Sequence, residues 1–326
     1  MSLHRNSKSE GQPLPTEFHE PVTLAVIGGT GLYKLDTLTA VAKLTVSTPW
    51  GFPSSPITIS KTESGFPIAF LARHGLHHDL LPSDVPSRAN IAALKKLGVK
   101  CIIAFSAVGS LQKHIKPRDF VLPNQIIDRT KGIRPSTFFE KGFVAHAGFG
   151  EPFDLKLNKI VAEVGVEKNL LQGDNLIFHT KETLKDDVIL VCMEGPAFST
   201  RAESRLYKSW GGSVINMSAI PESKLAREAE IAYQMICMST DYDAWNDQEE
   251  PVTVETVIGN LSANSANAHI LAERLIDRLE TEIKAGNVGN DLLGSMKYSV
   301  STSPDGVKRE LLEKMHYLFP GYWPIH

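Results

Sequence analysis

At 326 residues, 42% of them hydrophobic and 22% charged, the chain has the proportions of an ordinary globular protein, long enough to bury a sizeable core. A formal net charge of -3, from 34 basic and 37 acidic residues with no basic block, gives a nucleic-acid backbone no electrostatic support and favours a small-molecule substrate. The three cysteines, Cys101, Cys192 and Cys237, lie far apart in apolar surroundings without CxxC spacing, which excludes zinc or redox chemistry through cysteine and fits a reducing compartment.

In chain order, the first twenty residues are polar and lack an apolar segment, so they read as a flexible extension of a cytosolic protein. Residues 21–326 then read as one domain without repeats, and no uncharged apolar stretch is long enough to span a bilayer. VTLAVIG is a predicted strand that runs into Gly28-Gly29-Thr30-Gly31. Backbone N–H groups at such a turn can approach an anion and Thr30 adds a hydroxyl, but neither a dinucleotide fingerprint nor a P-loop Lys-Ser/Thr follows. A simple tight turn explains the segment equally well.

The strand PIAFLA ends in Arg73-His74-Gly75, a forked permanent cation beside a second donor, suited to phosphate. His77, His78 and Asp79 follow; exposed histidines account for them better than a metal site does. After a helix near Arg88–Leu97, KCIIAFSAVG places Ser106 near a strand's end, and SVINM later does the same for Ser218, where open α/β sheets bind ligands. Between them DVILVCM leads into EGPAFSTRAES, where Ser199 or Thr200 caps a helix over Thr200–Trp210 and Glu203 completes a capping box. Phe198, just before the cap, can stack on a planar ring.

A helix is expected from about Glu222 to Tyr233, then the strand MICMST, which leaves the core as Asp241-Tyr242-Asp243. In extended backbone residues two apart share a side, so the two carboxylates can converge; like charges then raise at least one pKa, giving a donor beside an acceptor. The N7 and 6-amino edge of adenine complements such a pair, and a hydrated acidic loop is the local alternative. A long helix from about Val254 to Lys284 carries an apolar stripe suited to core packing. GNVGNDLLGS is a loop, and after one more helix the tail FPGYWPIH presents aromatics expected to dock on a neighbouring subunit or over a site. Alternating strands and helices define an α/β domain with a largely parallel or mixed sheet.

VIGGTGL, LARHG, FSAVGS, DRTKGIRPSTFF, EGPAFSTRAES, INMSAIPE with KLAREAEIAY, and TDYDAW occur together and in order. This set resembles the 5'-methylthioadenosine phosphorylases of the purine nucleoside phosphorylase superfamily over about Val22–Val257. The resemblance implies a single-domain fold with a central mixed sheet flanked by helices. It also implies a transferase of purine and methionine salvage that needs no cofactor, with inorganic phosphate as co-substrate. Phosphate is then implied at Thr30, Arg73, His74, Ser106 and Ser218, and the nucleoside at Phe198, Ser199, Met217, Asp241 and Asp243. Asp241 would act on N7, Asp243 on the amino group, and Ser218 beside them in catalysis. His146, Val254 and Val257 are implied at the methylthio pocket, the histidine reaching it from a neighbouring subunit of a homotrimer in the cytoplasm and also the nucleus. Three departures stand out: Ala197 replaces an Arg, Ser218 a Thr, and Phe105-Ser106 a Thr-Thr pair. The serines keep a hydroxyl donor, and Ala197 bears on the loop. A 6-oxopurine phosphorylase, a water-using nucleosidase and a non-catalytic nucleoside binder remain as rivals to this expectation.

Overall fold

The computed structural model describes residues 13–28, 35–173, 175–248 and 252–325. The strands are β1 (Leu24–Gly28), β2 (Thr39–Leu44), β3 (Ile57–Lys61), β4 (Pro67–Ala72), β5 (Cys101–Ser110), β6 (Phe120–Val121), β7 (Gln125–Arg129), β8 (Phe178–His179), β9 (Ile189–Met193), β10 (Val214–Asn216) and β11 (Ala232–Tyr242). The helices are α1 (Ser87–Leu97), α2 (Leu155–Gly165), α3 (Lys181–Leu184), α4 (Arg201–Ser209), α5 (Ala219–Glu228), α6 (Val254–Lys284) and α7 (Arg309–His316). Among the described residues the strands join in one mixed sheet, with the order β2-β3-β4-β1-β5-β10-β9-β7 and a branch through β11, β6 and β8. The expected α/β architecture with a mixed sheet is therefore present, although β2, β3, α2 and the short elements carried no clear signal in the sequence.

β5 is the hub. Its first half pairs in parallel with β1 as far as Ile27↔Ala104, its last two residues pair antiparallel with β10, and its other edge pairs along its length with β11. β1 and β10 thus approach each other end to end along one edge of β5, and neither covers Phe105 to Val108 on that edge. Arg73, just after β4, and Ser218, just after β10, both reach β5 at this gap, which is where a ligand can reach strand ends. Layers of buried apolar side chains lie on either face: Ile27, Leu71, Ile91 and Leu94 in one cluster, and Ile103, Phe105, Ile236 and Leu271 in another.

Three expectations are corrected. α5 stops at Glu228, and Ala232 and Tyr233 already belong to β11. A strand buried on both faces reads as a continuous apolar run, so the chain from Ile231 onward gave no alternation to separate it from the helix. The stripe of α6 is covered from Leu261, which packs partly buried on the core, and fully from Asn264 onward, while Val254 is 64% exposed and Ile258 is exposed as well. The tail aromatics dock on their own chain: Trp323 sits edge-on to Phe143 at 5.1 Å, and Phe319 stacks with Tyr322. Glu230 secures that tail by accepting from the Gly294 and Met296 amides and the Tyr322 hydroxyl. The three cysteines are buried free thiols, as expected, and burial pushes the Cys101 thiol up to about 12. Pro15 of the N-terminal stretch is also tied down, its carbonyl accepting from Lys43.

Candidate active site

The gap over β5 gathers several of the residues singled out above. Arg73, the first residue after β4, donates from Nε and Nη2 to both oxygens of Glu222 on α5, at 2.7 and 2.8 Å, and from Nη1 to the Phe105 carbonyl at 2.8 Å. The Tyr233 hydroxyl donates to the same carboxylate at 2.7 Å. Arg73 and Glu222 are both buried, so the guanidinium charge is matched before any anion arrives. What the fork offers an anion is direction more than net charge. Glu222 and Tyr233 had no signal beyond the requirement that a buried cation have a counter-ion.

His74 lines the same cleft with Arg73, Met217, Ser218 and Glu222. Its Nδ1 lies 3.0 Å from the Leu80 carbonyl, which can only accept, so this nitrogen carries the proton. Burial and the adjacent Arg73 lower its pKa to about 4. The neutral ring therefore turns an accepting Nε2 to a ligand, where the sequence reading had placed a second donor; hydrogen phosphate has a hydroxyl to give it.

Ser106 and Ser218, from β5 and from the residue before α5, stand 3.1 Å apart between hydroxyl oxygens. The Asn216 amide donates to both, at 3.0 and 3.2 Å. The Ser106 hydroxyl donates to the Ala107 carbonyl at 2.9 Å, and with Asn216 donating to Ser218 the single Ser218 proton is the one that can turn to an anion. Thr30 lies outside the described residues.

The carboxylates sit three residues further along β5, roughly 10 Å from Ser106 at the usual strand rise. β11 bulges at Thr240, so that Ser239 pairs with Val108 and Asp241 with Gly109, a device that re-aims the following side chain. Both aspartates pack on Gly109. A Cβ there would stand 3.2 Å from Asp241 Oδ2 and 3.4 Å from the Asp243 Cβ. Asp241 is 8% exposed and Asp243 4%. Burial pushes Asp241 up to about 6, against a hydrogen bond from Thr240 and with a smaller contribution from Asp243. Burial also raises Asp243, opposed by the Ser204 and Ser199 hydroxyls and the Ala244 amide. Convergence was expected from the spacing; that burial outweighs mutual repulsion was not.

Two loops close over these groups. Thr200 caps α4 and forms the expected capping box with Glu203, leaving Ser199 buried and Phe198 44% exposed. Gly195, at φ +70°, leaves room for the Met217 sulfur, 2.3 Å from where a Cβ would be. Arg134, within the quoted DRTKGIRPSTFF, clamps the Met217–Ile220 turn: Nη1 donates to the Met217 carbonyl at 2.6 Å and the Ile220 carbonyl at 2.7 Å, while Nε bonds Glu194. Although burial opposes it, hydrogen bonds from Lys131, Ser83 and Arg134 hold the Glu194 carboxyl below the usual carboxylate range. His146 is exposed, and its amide donates to the Ser299 carbonyl. Val254 and Val257 occupy the first turns of α6, outside its covered face. Among the described residues no three His, Cys, Asp or Glu side chains converge to hold a metal, and no helix is long and apolar enough to cross a membrane.

Residues 23–277 match a family model described as the phosphorylase superfamily. An S-methyl-5'-thioadenosine phosphorylase of Candida albicans (strain SC5314) is 72% identical over 331 residues, covering 100% of this chain and 95% of that protein. A solved methylthioadenosine phosphorylase sourced from an antarctic soil metagenomic library superposes with a TM-score of 0.82 at 37% identity, covering 92% of this chain and 99% of that one. A methylthioadenosine phosphorylase from Schistosoma mansoni in complex with adenine gives a TM-score of 0.77 at 30% identity, over 86% and 99% of the two chains.

Proposed function

The chain belongs to the S-methyl-5'-thioadenosine phosphorylases of the phosphorylase superfamily, and from that premise we propose how its own residues carry the reaction. The enzyme cleaves S-methyl-5'-thioadenosine with phosphate, giving adenine and 5-methylthioribose 1-phosphate, a step of methionine and purine salvage.

In the proposed step, Arg73, Ser106, Ser218 and His74 orient phosphate in the gap over β5. A phosphate oxygen attacks C1', the C1'–N9 bond breaks, and its electron pair passes into the purine. Asp241 gives its proton to N7, which neutralises the charge developing there; general acid catalysis of this kind is worth typically ~10² to 10⁴-fold. Positioning of phosphate against C1' supplies much of the rest. Asp243 accepts from the 6-amino group, and Phe198, Ser199 and Met217 border the base and ribose. Thr30 belongs with the phosphate ligands. His146, Val254 and Val257 belong to the methylthio pocket, completed between subunits of a homotrimer; the exposed apolar start of α6 supports that placement. Residues 21–326 act as one phosphorylase domain, acting in the cytoplasm with a fraction in the nucleus.

The observation that carries the assignment is the spacing along β5 between a hydroxyl and amide cluster, where Ser106 meets Ser218 after β10, and a buried carboxyl pair, Asp241 near the end of β11 and Asp243 just beyond it. The test is adenine release by the purified protein with and without phosphate. Release should require phosphate and yield the sugar 1-phosphate; undiminished release in phosphate-free buffer would make it a hydrolase.

A further inference from the structure

The second turn of α4 carries a residue to which the phosphorolytic reading gives no role. Ser204 is fully buried (0% exposed), and no well-formed hydrogen bond satisfies its hydroxyl or the buried Oδ2 of Asp243, on the chain leaving β11. Leaving either polar atom desolvated without a partner costs on the order of 1 to 3 kcal/mol. Two such atoms on adjoining elements answer each other, and the Ser204 hydroxyl acts on the Asp243 carboxyl.

We propose that Ser204 is a specificity-determining positioning residue: its buried hydroxyl holds Asp243 as an ionised acceptor and so selects 6-aminopurine over 6-oxopurine nucleosides. This deepens the phosphorolytic reading and rests on it. A hydroxyl can donate or accept, whereas a carboxylate only accepts, so an ionised Asp243 turns the Ser204 proton toward itself. Its remaining lone pairs then face the base and accept from an exocyclic amine. A 6-oxo group would bring a second acceptor to the same place, and repulsion would exclude it.

The surroundings push the other way. Burial raises the pKa of Asp243, and Glu203 of α4 adds to the rise. Asp241 of β11 is a further carboxyl beside it. The cations of α4 are committed elsewhere, Arg201 and Arg205 to Asp247 and Lys208 over the Trp245 ring. Opposing the rise are Ser204, Ser199 and the Ala244 amide. Without the Ser204 hydroxyl the carboxyl holds its proton to higher pH, and a protonated Asp243 donates to a 6-oxo group.

The test measures kcat/KM for methylthioadenosine and for methylthioinosine across neutral pH in the wild type, Ser204→Ala and Ser204→Thr. Because a larger fraction of Asp243 then keeps its proton, the amino-to-oxo ratio should fall in Ser204→Ala near neutrality. It should recover as pH rises, and Ser204→Thr should restore it. A Ser204→Ala ratio equal to wild type at every pH would overturn the proposal while leaving phosphorolysis intact. Failure of the wild type to release adenine with phosphate would overturn the reading beneath it. Should Ser204→Ala not fold, Ser204→Cys, with similar volume and a weak donor, carries the same expectations.

Discussion

The Thr240 hydroxyl lies 2.6 Å from Oδ1 of Asp241, at the bulge where β11 re-registers against β5. Its single proton also has the Val108 carbonyl 3.2 Å away, so it is divided between two acceptors and does not cancel the effect of burial. Asp241 therefore titrates at about 6, above its ordinary 3.8. A carboxyl raised on folding contributes stability that is complete below the unfolded pKa and is lost as pH rises through the folded one. The window here runs from about 4 to about 6. Asp241→Asn, neutral throughout, should exceed the wild type in stability well above that window, by on the order of 2 to 3 kcal/mol, and match it near its lower end. Urea titrations at the two pH values measure the difference.

The pairing of Arg73 with Glu222 has a separate consequence. Both groups are buried, so Glu222→Gln leaves a guanidinium uncompensated and should cost about 3 to 5 kcal/mol. The exposed pair Lys156–Asp291 should contribute at most about 1 kcal/mol when tested the same way. Phosphate should return part of the loss, because a bound anion replaces the missing charge. Thermal unfolding should therefore show a larger phosphate-induced rise in Tm for Glu222→Gln than for the wild type.

Arg134 touches no atom assigned to the substrate, yet it holds the carbonyls on either side of Ser218. Arg134→Lys keeps the charge and loses the fork. A misplacement of about 1 Å in a catalytic site can cost ~10²-fold, so kcat/KM should fall by about that factor. KM for phosphate should rise, with far-ultraviolet circular dichroism unchanged. Steady-state kinetics with phosphate varied at saturating nucleoside would detect it.

Much of the site was legible because its residues stand at strand ends, where an apolar run stops and a polar group begins. Arg73 after PIAFLA, Ser106 after CIIAF and Asp241 after MICMST each mark such a boundary, and the capping box at Thr200 and Glu203 is a purely local signal. The partners were not legible, because pairing across sequence leaves no mark: Glu222 is 149 residues from Arg73, and the Met217 carbonyl 83 from Arg134. The His74 tautomer depends on the carbonyl of Leu80, which only the turn brings into reach. α5 was overextended for a related reason, since burial on both faces of β11 erased the period that separates strand from helix.

The central claim is that Asp241 delivers the proton to N7 while phosphate attacks C1'. Single-turnover release of adenine from methylthioadenosine at saturating phosphate, in wild type and Asp241→Asn across pH, tests it most directly. The wild-type rate should decline as pH rises above the Asp241 pKa of about 6. Asp241→Asn should be slower by ~10² to 10⁴-fold and lose that dependence. A mutant that releases adenine at the wild-type rate, with the same pH profile, would contradict the assignment.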